Sequence, residues 1–182
     1  MGQEERIQNA YRGLGGKRTF YDGMITCSTL SGRAVCSLVW EMGRAETQDY
    51  LCVALSGIPE GFSGRLLEVP VGTGILTMPL YRKMPEAEIT CLDYSLEMLE
   101  RAKCRGEGLS HVRFQQGDVG GLPFGDGSFD IALSLNGFHA FPDKEAAYRE
   151  VFRVLRPGGT FCGCFYVKSE HKRTDWFVRH VY

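Results

Sequence analysis

The segment EVPVGTG, residues 68–74, places two glycines shortly after an acidic residue that ends an apolar run. Gly72 and Gly74 can adopt backbone conformations with positive φ, and they let a bound group come close to the main chain. The backbone amides of such a turn after a strand can bind the polar groups of a nucleotide. A turn of this kind can also serve only to pack a helix against a sheet, so both interpretations stay open.

Two further acidic residues follow later apolar runs. Asp93 comes 19 residues after Gly74, a spacing at which an acid meets ribose hydroxyls, and a carboxylate can accept hydrogen bonds from both hydroxyls of a diol. Asp118 could accept from an exocyclic amine such as that of adenine, with Gly117 letting the backbone approach the ring. Taken alone, Asp118 is better explained as a solvated loop residue.

The elements that carry these residues alternate in type from Arg65 onward. Short apolar runs between helical patterns are typical of consecutive βαβ units and predict a largely parallel sheet. Ser95 and Asp143 are predicted helix N-caps, and the RPGG of residues 156–159 should end the third helix and lead into the fifth strand. The predicted strands cover residues 65–69, 88–93, 111–116, 129–135 and 160–167, and the predicted helices 75–83, 95–107 and 143–155. Because ligands of such sheets bind outside the carboxyl ends of the strands, the candidate residues should meet at one edge.

Composition sets the broad class of the protein. The 182 residues suit one α/β core, residues 65–182, preceded by a helical leader, residues 1–64. A hydrophobic share of 43% and a charged share of 24% are ordinary for a globular protein. The uncharged runs are shorter than the ~20 apolar residues of a membrane span, and a net charge of -1 gives no broad footprint for nucleic acid. The polar N-terminus makes the cytoplasm the expected location.

The seven cysteines are dispersed along the chain. Their odd number and irregular spacing predict small core residues rather than a disulfide framework. Cys162 and Cys164 share one face of a predicted strand, but further Cys or His ligands at a suitable spacing would be needed for a tetrahedral metal site. No metal is therefore expected.

Three segments together resemble a known family. They are EVPVGTG, then GD followed by LPFGDGSFDIALS, and then YREVFRVLRPGGTF. In these segments the chain resembles class I S-adenosylmethionine-dependent methyltransferases, specifically the small-molecule group similar to quinone-biosynthesis methyltransferases. The resemblance covers residues 65–167 and implies a Rossmann-like doubly wound, mostly parallel sheet. It also implies S-adenosylmethionine as cofactor, S-adenosylhomocysteine as product and a small-molecule methyl acceptor.

The resemblance also implies contacts for each part of the cofactor. The methionine portion would meet Glu68, Gly72, Thr73 and Gly74, within a wall that includes Pro70. Asp93 and Tyr94 would bind the ribose, and Met98, Gly117, Asp118 and Val119 would surround the adenine. Ser134, Leu135 and Asn136 would form the floor beneath the sulfonium. By analogy, the leader would lie over the cofactor as a lid.

Pro70 departs from the family pattern, which has a glycine at this position. Proline fixes φ at about −65° and has no amide donor. A family glycine that needed positive φ or donated to the ligand would make Pro70 harmful, whereas a negative φ would let proline stiffen the turn at little cost. Because Gly72 and Gly74 remain, intact cofactor binding is the prediction.

A second departure concerns the end of the family fold, which usually continues past the fifth strand with a helix and two more strands. The expected core therefore lacks these last two strands. An uncovered edge on the fifth strand would favour self-association.

His139, just after the fourth predicted strand, is the histidine placed to act as a base if the acceptor must lose a proton. Packing of His139 within its loop is the alternative.

Two other functions of the protein also stay open. A nicotinamide-dependent oxidoreductase would need a third glycine, whereas ILTMPL follows Gly74. A non-catalytic module that binds S-adenosylmethionine, or nothing, is the other alternative.

Overall fold

The computed structural model describes residues 22–23, 25–26, 28–39, 44–167, 172 and 174–176. Residues 54–165 form one compact unit, and the described residues before and after them belong to a second unit. The first 21 residues of the expected leader lie outside the described part. The predicted boundary between residues 64 and 65 and the predicted lid role stay predictions.

Two helices confirm the helical patterns expected before the sheet. Helix α1 spans Leu30–Val39 and α2 spans Arg44–Leu55. Thr29 caps α1, since its Oγ1 accepts the amide of Gly32 at 3.0 Å. Cys36 in α1 is buried and disulfide-bonded, which the cysteine spacing did not predict. The free cysteines of the described residues are Cys52, Cys91, Cys104, Cys162 and Cys164.

Five parallel strands form one sheet in the order β3-β2-β1-β4-β5. The strands are β1 Arg65–Glu68, β2 Glu88–Asp93, β3 Val112–Gln116, β4 Phe129–Leu135 and β5 Leu155–Cys164. β2 and β4 have the predicted bounds, and β1 and β3 are each one residue shorter than predicted. The expected doubly wound α/β fold is therefore confirmed for the described residues.

β5 begins earlier than predicted, and RPGG forms part of it. The preceding helix spans Lys144–Val154, so it does stop before this segment. Phe129 then pairs with Leu155 and Ile131 with Thr160, which makes residues 156–159 a bulge opposite one residue of β4. That residue is Asp130, whose carboxylate accepts the amide of Arg65 at 2.7 Å and a hydrogen bond from Arg156. These bonds lower the pKa of Asp130.

Three helices connect the strands. They are α3 Met78–Tyr81, α4 Leu96–Arg105 and α5 Lys144–Val154. Both predicted N-caps are confirmed, because Ser95 Oγ accepts the amide of Met98 at 3.4 Å and Asp143 Oδ1 accepts that of Ala146 at 2.9 Å. Short 3₁₀ turns at Val119–Gly121 and Phe138–Ala140 follow β3 and β4.

The sheet is buried on both faces, as parallel sheets usually are. Leu66 of β1 belongs to one apolar cluster, with Tyr81 and Leu99, while Leu67 belongs to a second, with Val151. Successive strand residues point to opposite faces, so Glu68 must share the face of Leu66. This alternation directs a carboxyl group into an apolar environment.

Candidate functional site

The carboxyl ends of β1, β2 and β4 lie side by side because all strands run in the same direction. The segment after β1 is joined by hydrogen bonds to the ends of both neighbouring strands, from the amide of Val71 to the carbonyl of Leu92 at 3.0 Å and from the amide of Val69 to the carbonyl of Leu133 at 2.9 Å. The amide of Gly117 donates to the carbonyl of Asp93 at 3.1 Å, which adds the turn after β3. The structure thus brings the predicted segments together.

Asp93 is the acidic residue around which these turns are organised. Its Oδ2 accepts the amide of Gly72 and its Oδ1 the amide of Ser95, each at 2.8 Å. Burial raises the pKa of this carboxyl group to about 6, although both amide bonds oppose the rise. Each carboxylate oxygen retains a second acceptor site, so the group can still accept hydrogen bonds from a diol.

The two glycines of the turn after β1 have different surroundings. Gly72 has φ of 57° and Gly74 has φ of 67°. A Cβ on Gly74 would lie 3.0 Å from Cγ of Met78, whereas no atom lies within 4 Å of the corresponding position on Gly72. Gly74 therefore packs against its helix, and Gly72 leaves open space that a ligand can enter.

Arg105, which was not among the predicted site residues, also holds this turn. Its Nη1 donates to the carbonyl of Thr73 at 2.6 Å from the last turn of α4. The local signal was a basic residue at a helix C-terminus, which usually indicates only an interaction with the helix dipole.

Pro70 follows a cis peptide bond and packs against the turn after β4. A Cβ on Gly137 would lie 2.1 Å from Cδ of Pro70 and 2.9 Å from Oγ of Ser134. Ser134 is fully buried, and its hydroxyl has no hydrogen-bond partner in the described part of the chain. A buried hydroxyl that lacks a protein partner is suited to form a hydrogen bond with a ligand.

The other predicted residues of this turn are placed as follows. Leu135 is partly buried against the cluster around Leu66. Asn136 has φ of 55°, and its amide donates to the carbonyl of Cys164 at 2.8 Å. Asparagine is one of the few residues other than glycine that adopt this conformation readily.

The turn after β3 begins with Asp118. Its Oδ1 accepts the amide of Gly120 at 2.9 Å and caps the 3₁₀ turn, leaving an exposed carboxylate. Val119 is buried in the core cluster with Val151. Tyr94, which follows β2, is half exposed, whereas Met98 is buried.

Glu68 lies beneath the glycine turn rather than in its open space. Its Oε2 accepts hydrogen bonds from the hydroxyl of Tyr81 at 2.9 Å and from Sγ of Cys91 at 3.6 Å. Burial raises the pKa of Glu68 to about 8. Its predicted contact with the methionine portion stays a prediction.

His139 lies in the 3₁₀ turn after β4 and is partly buried. Burial, and to a smaller extent the positive charge of Lys144, lowers the pKa of its imidazole below the usual 6.5. The ring is therefore neutral at pH 7 and can accept a proton.

A doubly wound parallel sheet with an open glycine turn after β1 and an acid at the end of β2 defines a nucleotide-cofactor-binding α/β protein. A family profile described as a methyltransferase domain matches residues 66–159. Because this match covers more than half of the chain, the protein belongs to the methyltransferase-domain family. The resemblance to class I S-adenosylmethionine-dependent methyltransferases is confirmed, and the cofactor of these proteins is S-adenosylmethionine.

Individual relatives support this assignment. A demethylmenaquinone methyltransferase of Thermus thermophilus is 42% identical over 97 residues, which are 52% of this chain and 44% of the relative. The ubiquinone/menaquinone biosynthesis C-methyltransferase UbiE of Desulfotalea psychrophila is 34% identical over 126 residues, 69% of this chain and 50% of the relative. The solved structure of the cyclase SpnF has a TM-score of 0.62 at 30% identity and covers 70% of this chain and 48% of its own. The chain thus spans about half the length of these relatives.

Among the residues with described positions, no helix has the length and apolar character to cross a membrane. The same residues contain no group of three His, Cys, Asp or Glu side chains placed to hold a metal ion.

The contact between Gly137 and Pro70 leads to a first prediction. Gly137→Ala should force the turn after β4 away from Pro70 in the turn after β1. This change should lower the free energy of unfolding by about 1–3 kcal/mol. Gly121→Ala is the matched control, since no atom lies within 4 Å of its Cβ position, and its effect should stay within about 0.5 kcal/mol. Urea unfolding of both variants measures the difference, and equal stabilities would contradict the packing described for Pro70.

Proposed function

We propose that the protein transfers a methyl group from S-adenosylmethionine to a small-molecule acceptor. The observation that carries this proposal is the joint placement of the Asp93 carboxylate and the open space at Gly72 in a methyltransferase domain. The two quinone-biosynthesis relatives support a small acceptor rather than a macromolecule.

The residues at this edge of the sheet suit the chemical groups of the cofactor. Asp93 would accept from the ribose hydroxyls, and Asp118 from the exocyclic amine of adenine. The space beside Gly72 would admit the methionine portion, with Ser134 forming part of the floor. When bound, S-adenosylmethionine supplies a methyl group already activated as a sulfonium. The main task of the protein is then to align donor and acceptor, an effect that can reach roughly 7–11 kcal/mol.

We further propose that His139 removes a proton from the acceptor. Its lowered pKa keeps the ring neutral at pH 7 and therefore available as a base. His139→Gln should reduce kcat by about 100-fold or more while leaving the affinity for S-adenosylhomocysteine within about twofold. In the wild type, kcat should rise with pH, with the midpoint of the rise below pH 6.5 because the pKa of His139 is lowered. Turnover that does not change in the variant would remove the proposed role and leave His139 as a packing residue.

A non-catalytic protein that binds the cofactor is the second candidate. The solved structure of SpnF, a protein of similar fold, is named as a cyclase, and fold alone therefore does not determine methyl transfer. Incubation with labelled S-adenosylmethionine and a panel of phenols, quinols, amines and thiols separates the two. A methylated product supports the enzyme, and binding without any product supports the non-catalytic protein.

We also propose that the protein self-associates through β5, which lies at one edge of the sheet. The exposed aromatic residues beside it, Phe152 and Phe165, would add apolar area to the contact. An edge strand with unpaired backbone groups is a template for pairing with another chain. Light scattering should show a dimer at high concentration, and a strict monomer would contradict this part of the proposal.

A cytoplasmic location is a further proposal. Five free cysteines among the described residues suit a reducing compartment, while the disulfide at Cys36 is the observation against it. Fractionation of cells that produce the protein should place it with cytoplasmic markers.

Calorimetric titration with S-adenosylhomocysteine tests the cofactor proposal independently of the acceptor. One binding site per chain is the expected result. No detectable binding at millimolar ligand would contradict the proposed function.

A further inference from the structure

Arg153, on the last turn of α5, binds the segment that follows the 3₁₀ turn after β3. Its guanidinium group has five N–H donors, and the structure supplies five acceptors at 2.7–3.0 Å. These acceptors are both carboxylate oxygens of Glu150, Oδ1 of Asp126 and the backbone carbonyls of Leu122 and Phe124. Because every N–H donor of the planar guanidinium has an acceptor, Arg153 fixes the segment in one orientation.

Glu150 strengthens this attachment from the same helix. Its Oε2 accepts the amide of Leu122 at 2.8 Å, so both backbone groups of Leu122 bind α5. The backbone carbonyl of Arg153 in turn accepts the amide of Gly127 at 3.0 Å. Hydrogen bonds from Arg153 lower the pKa of Glu150, which keeps the pair charged at neutral pH.

The attached segment continues directly into the predicted adenine site. The 3₁₀ turn of Val119–Gly121 ends immediately before Leu122, and Asp118 caps its beginning. The amide of Gly121 donates to the carbonyl of Asp118 at 3.2 Å. Val119 and Leu122 are buried in the same apolar cluster as Val151 of α5. A shift of Leu122 would therefore move the turn that holds Asp118.

We propose that Arg153, with Glu150, is a positioning residue. It holds Asp118 where the carboxylate can accept a hydrogen bond from the exocyclic amine of adenine. This inference rests on the proposed function, because Asp118 has this partner only if an adenine nucleotide binds. Arg153 acts through the segment of residues 118–127 and contacts no ligand itself.

Lysine cannot replace Arg153 in this role. Its single ammonium group has three donors. It cannot bind both carboxylate oxygens of Glu150 and the carbonyls of Leu122 and Phe124 at the same time. Arg153→Lys therefore retains the positive charge and removes the geometry. Arg149→Lys is the matched control, since Arg149 lies exposed on the same helix.

The test compares two ligands in both variants and in the wild type. One ligand is S-adenosylhomocysteine, and the other is its analogue with hydrogen in place of the exocyclic amine of adenine. The wild type and Arg149→Lys should bind S-adenosylhomocysteine about tenfold more tightly than the analogue, the effect of one hydrogen bond. In Arg153→Lys this preference should fall to about twofold or less.

Each result has a defined meaning. An equal loss of affinity for both ligands, with the tenfold preference retained, is the result of a purely structural role and overturns the inference. Wild-type protein that binds both ligands equally also overturns it, but leaves cofactor binding intact. Wild-type protein that binds neither ligand contradicts the proposed function itself. If Arg153→Lys does not fold, Glu150→Gln provides the same comparison, because it removes one of the two carboxylate oxygens that accept hydrogen bonds from Arg153.

Discussion

Asp93→Asn should weaken binding of S-adenosylhomocysteine by at least about 100-fold. The carboxylate accepts two backbone amides with its two oxygens. The asparagine side chain has only one oxygen. Its NH₂ group would therefore face the backbone N–H of either Gly72 or Ser95, which are both donors. The variant thus loses a charged acceptor for the ribose and disturbs the turn that borders the ligand.

The pH dependence of binding follows from the same group. The pKa of Asp93 is about 6 in the free protein. Hydrogen bonds from a diol favour the ionised form, so protonation competes with the ligand. Affinity should be constant above about pH 7 and decrease below pH 6 by at most about tenfold per pH unit. The Asp93→Asn variant should lack this dependence.

Asp143→Asn is the control for this experiment. Asp143 caps α5, and asparagine is an equally good N-cap. Calorimetric titration between pH 5 and pH 8 should give wild-type affinities for this control. Wild-type affinity in Asp93→Asn would show that the nucleotide does not bind at the end of β2.

Glu68→Gln should make the folded protein more stable at alkaline pH. The pKa of Glu68 is raised from 4.5 to about 8 by burial, so the folded state retains a proton that the unfolded state has lost. Between these two values the unfolded state binds fewer protons, and wild-type stability therefore falls as pH rises. Glutamine keeps an oxygen that accepts the hydroxyl of Tyr81 and does not ionise.

The difference in stability between this variant and the wild type should grow with pH by up to about 1.4 kcal/mol per unit. It should be smallest below pH 4.5 and constant above about pH 8. The rise of the Glu68 pKa from 4.5 to about 8 corresponds to a total of about 5 kcal/mol. Cys91 and Tyr81 also face Glu68, and Asp93 acts on it through its charge, but these groups are common to both proteins.

Urea unfolding at half-unit intervals from pH 4 to pH 9 measures this difference. Glu88→Gln is the control, since Glu88 is exposed at the start of β2, and it should follow the wild-type curve. A Glu68→Gln curve parallel to that of the wild type would contradict the burial of a protonated carboxyl group beneath the turn.

The sequence allowed much of the fold to be predicted because the signals involved are local. The bounds of β2 and β4 follow from apolar runs, and the caps at Ser95 and Asp143 depend on amides only three positions away. The RPGG bulge was placed wrongly outside β5. Its register depends on Asp130, which binds Arg65 across a separation of 65 positions.

The candidate site was predicted in outline but not in its supporting contacts. Parallel strand direction places the residues that follow the strands, among them Asp93, Gly72 and Gly117, at one edge of the sheet. Arg105 and Arg153 were not predicted as site residues because they bind backbone carbonyls 29–32 positions away. Every residue has such a carbonyl, so the residue type does not indicate the contact. The surroundings of Glu68 could have been predicted, since strand alternation places it on the same face as Leu66.

A crystal structure of the protein with S-adenosylhomocysteine tests the central claim most directly. The account predicts ribose hydroxyls within hydrogen-bond distance of the Asp93 carboxylate, the adenine amine at Asp118 and the homocysteine chain beside Gly72. Ligand density at another part of the sheet, or contacts that avoid both carboxylates, would contradict it.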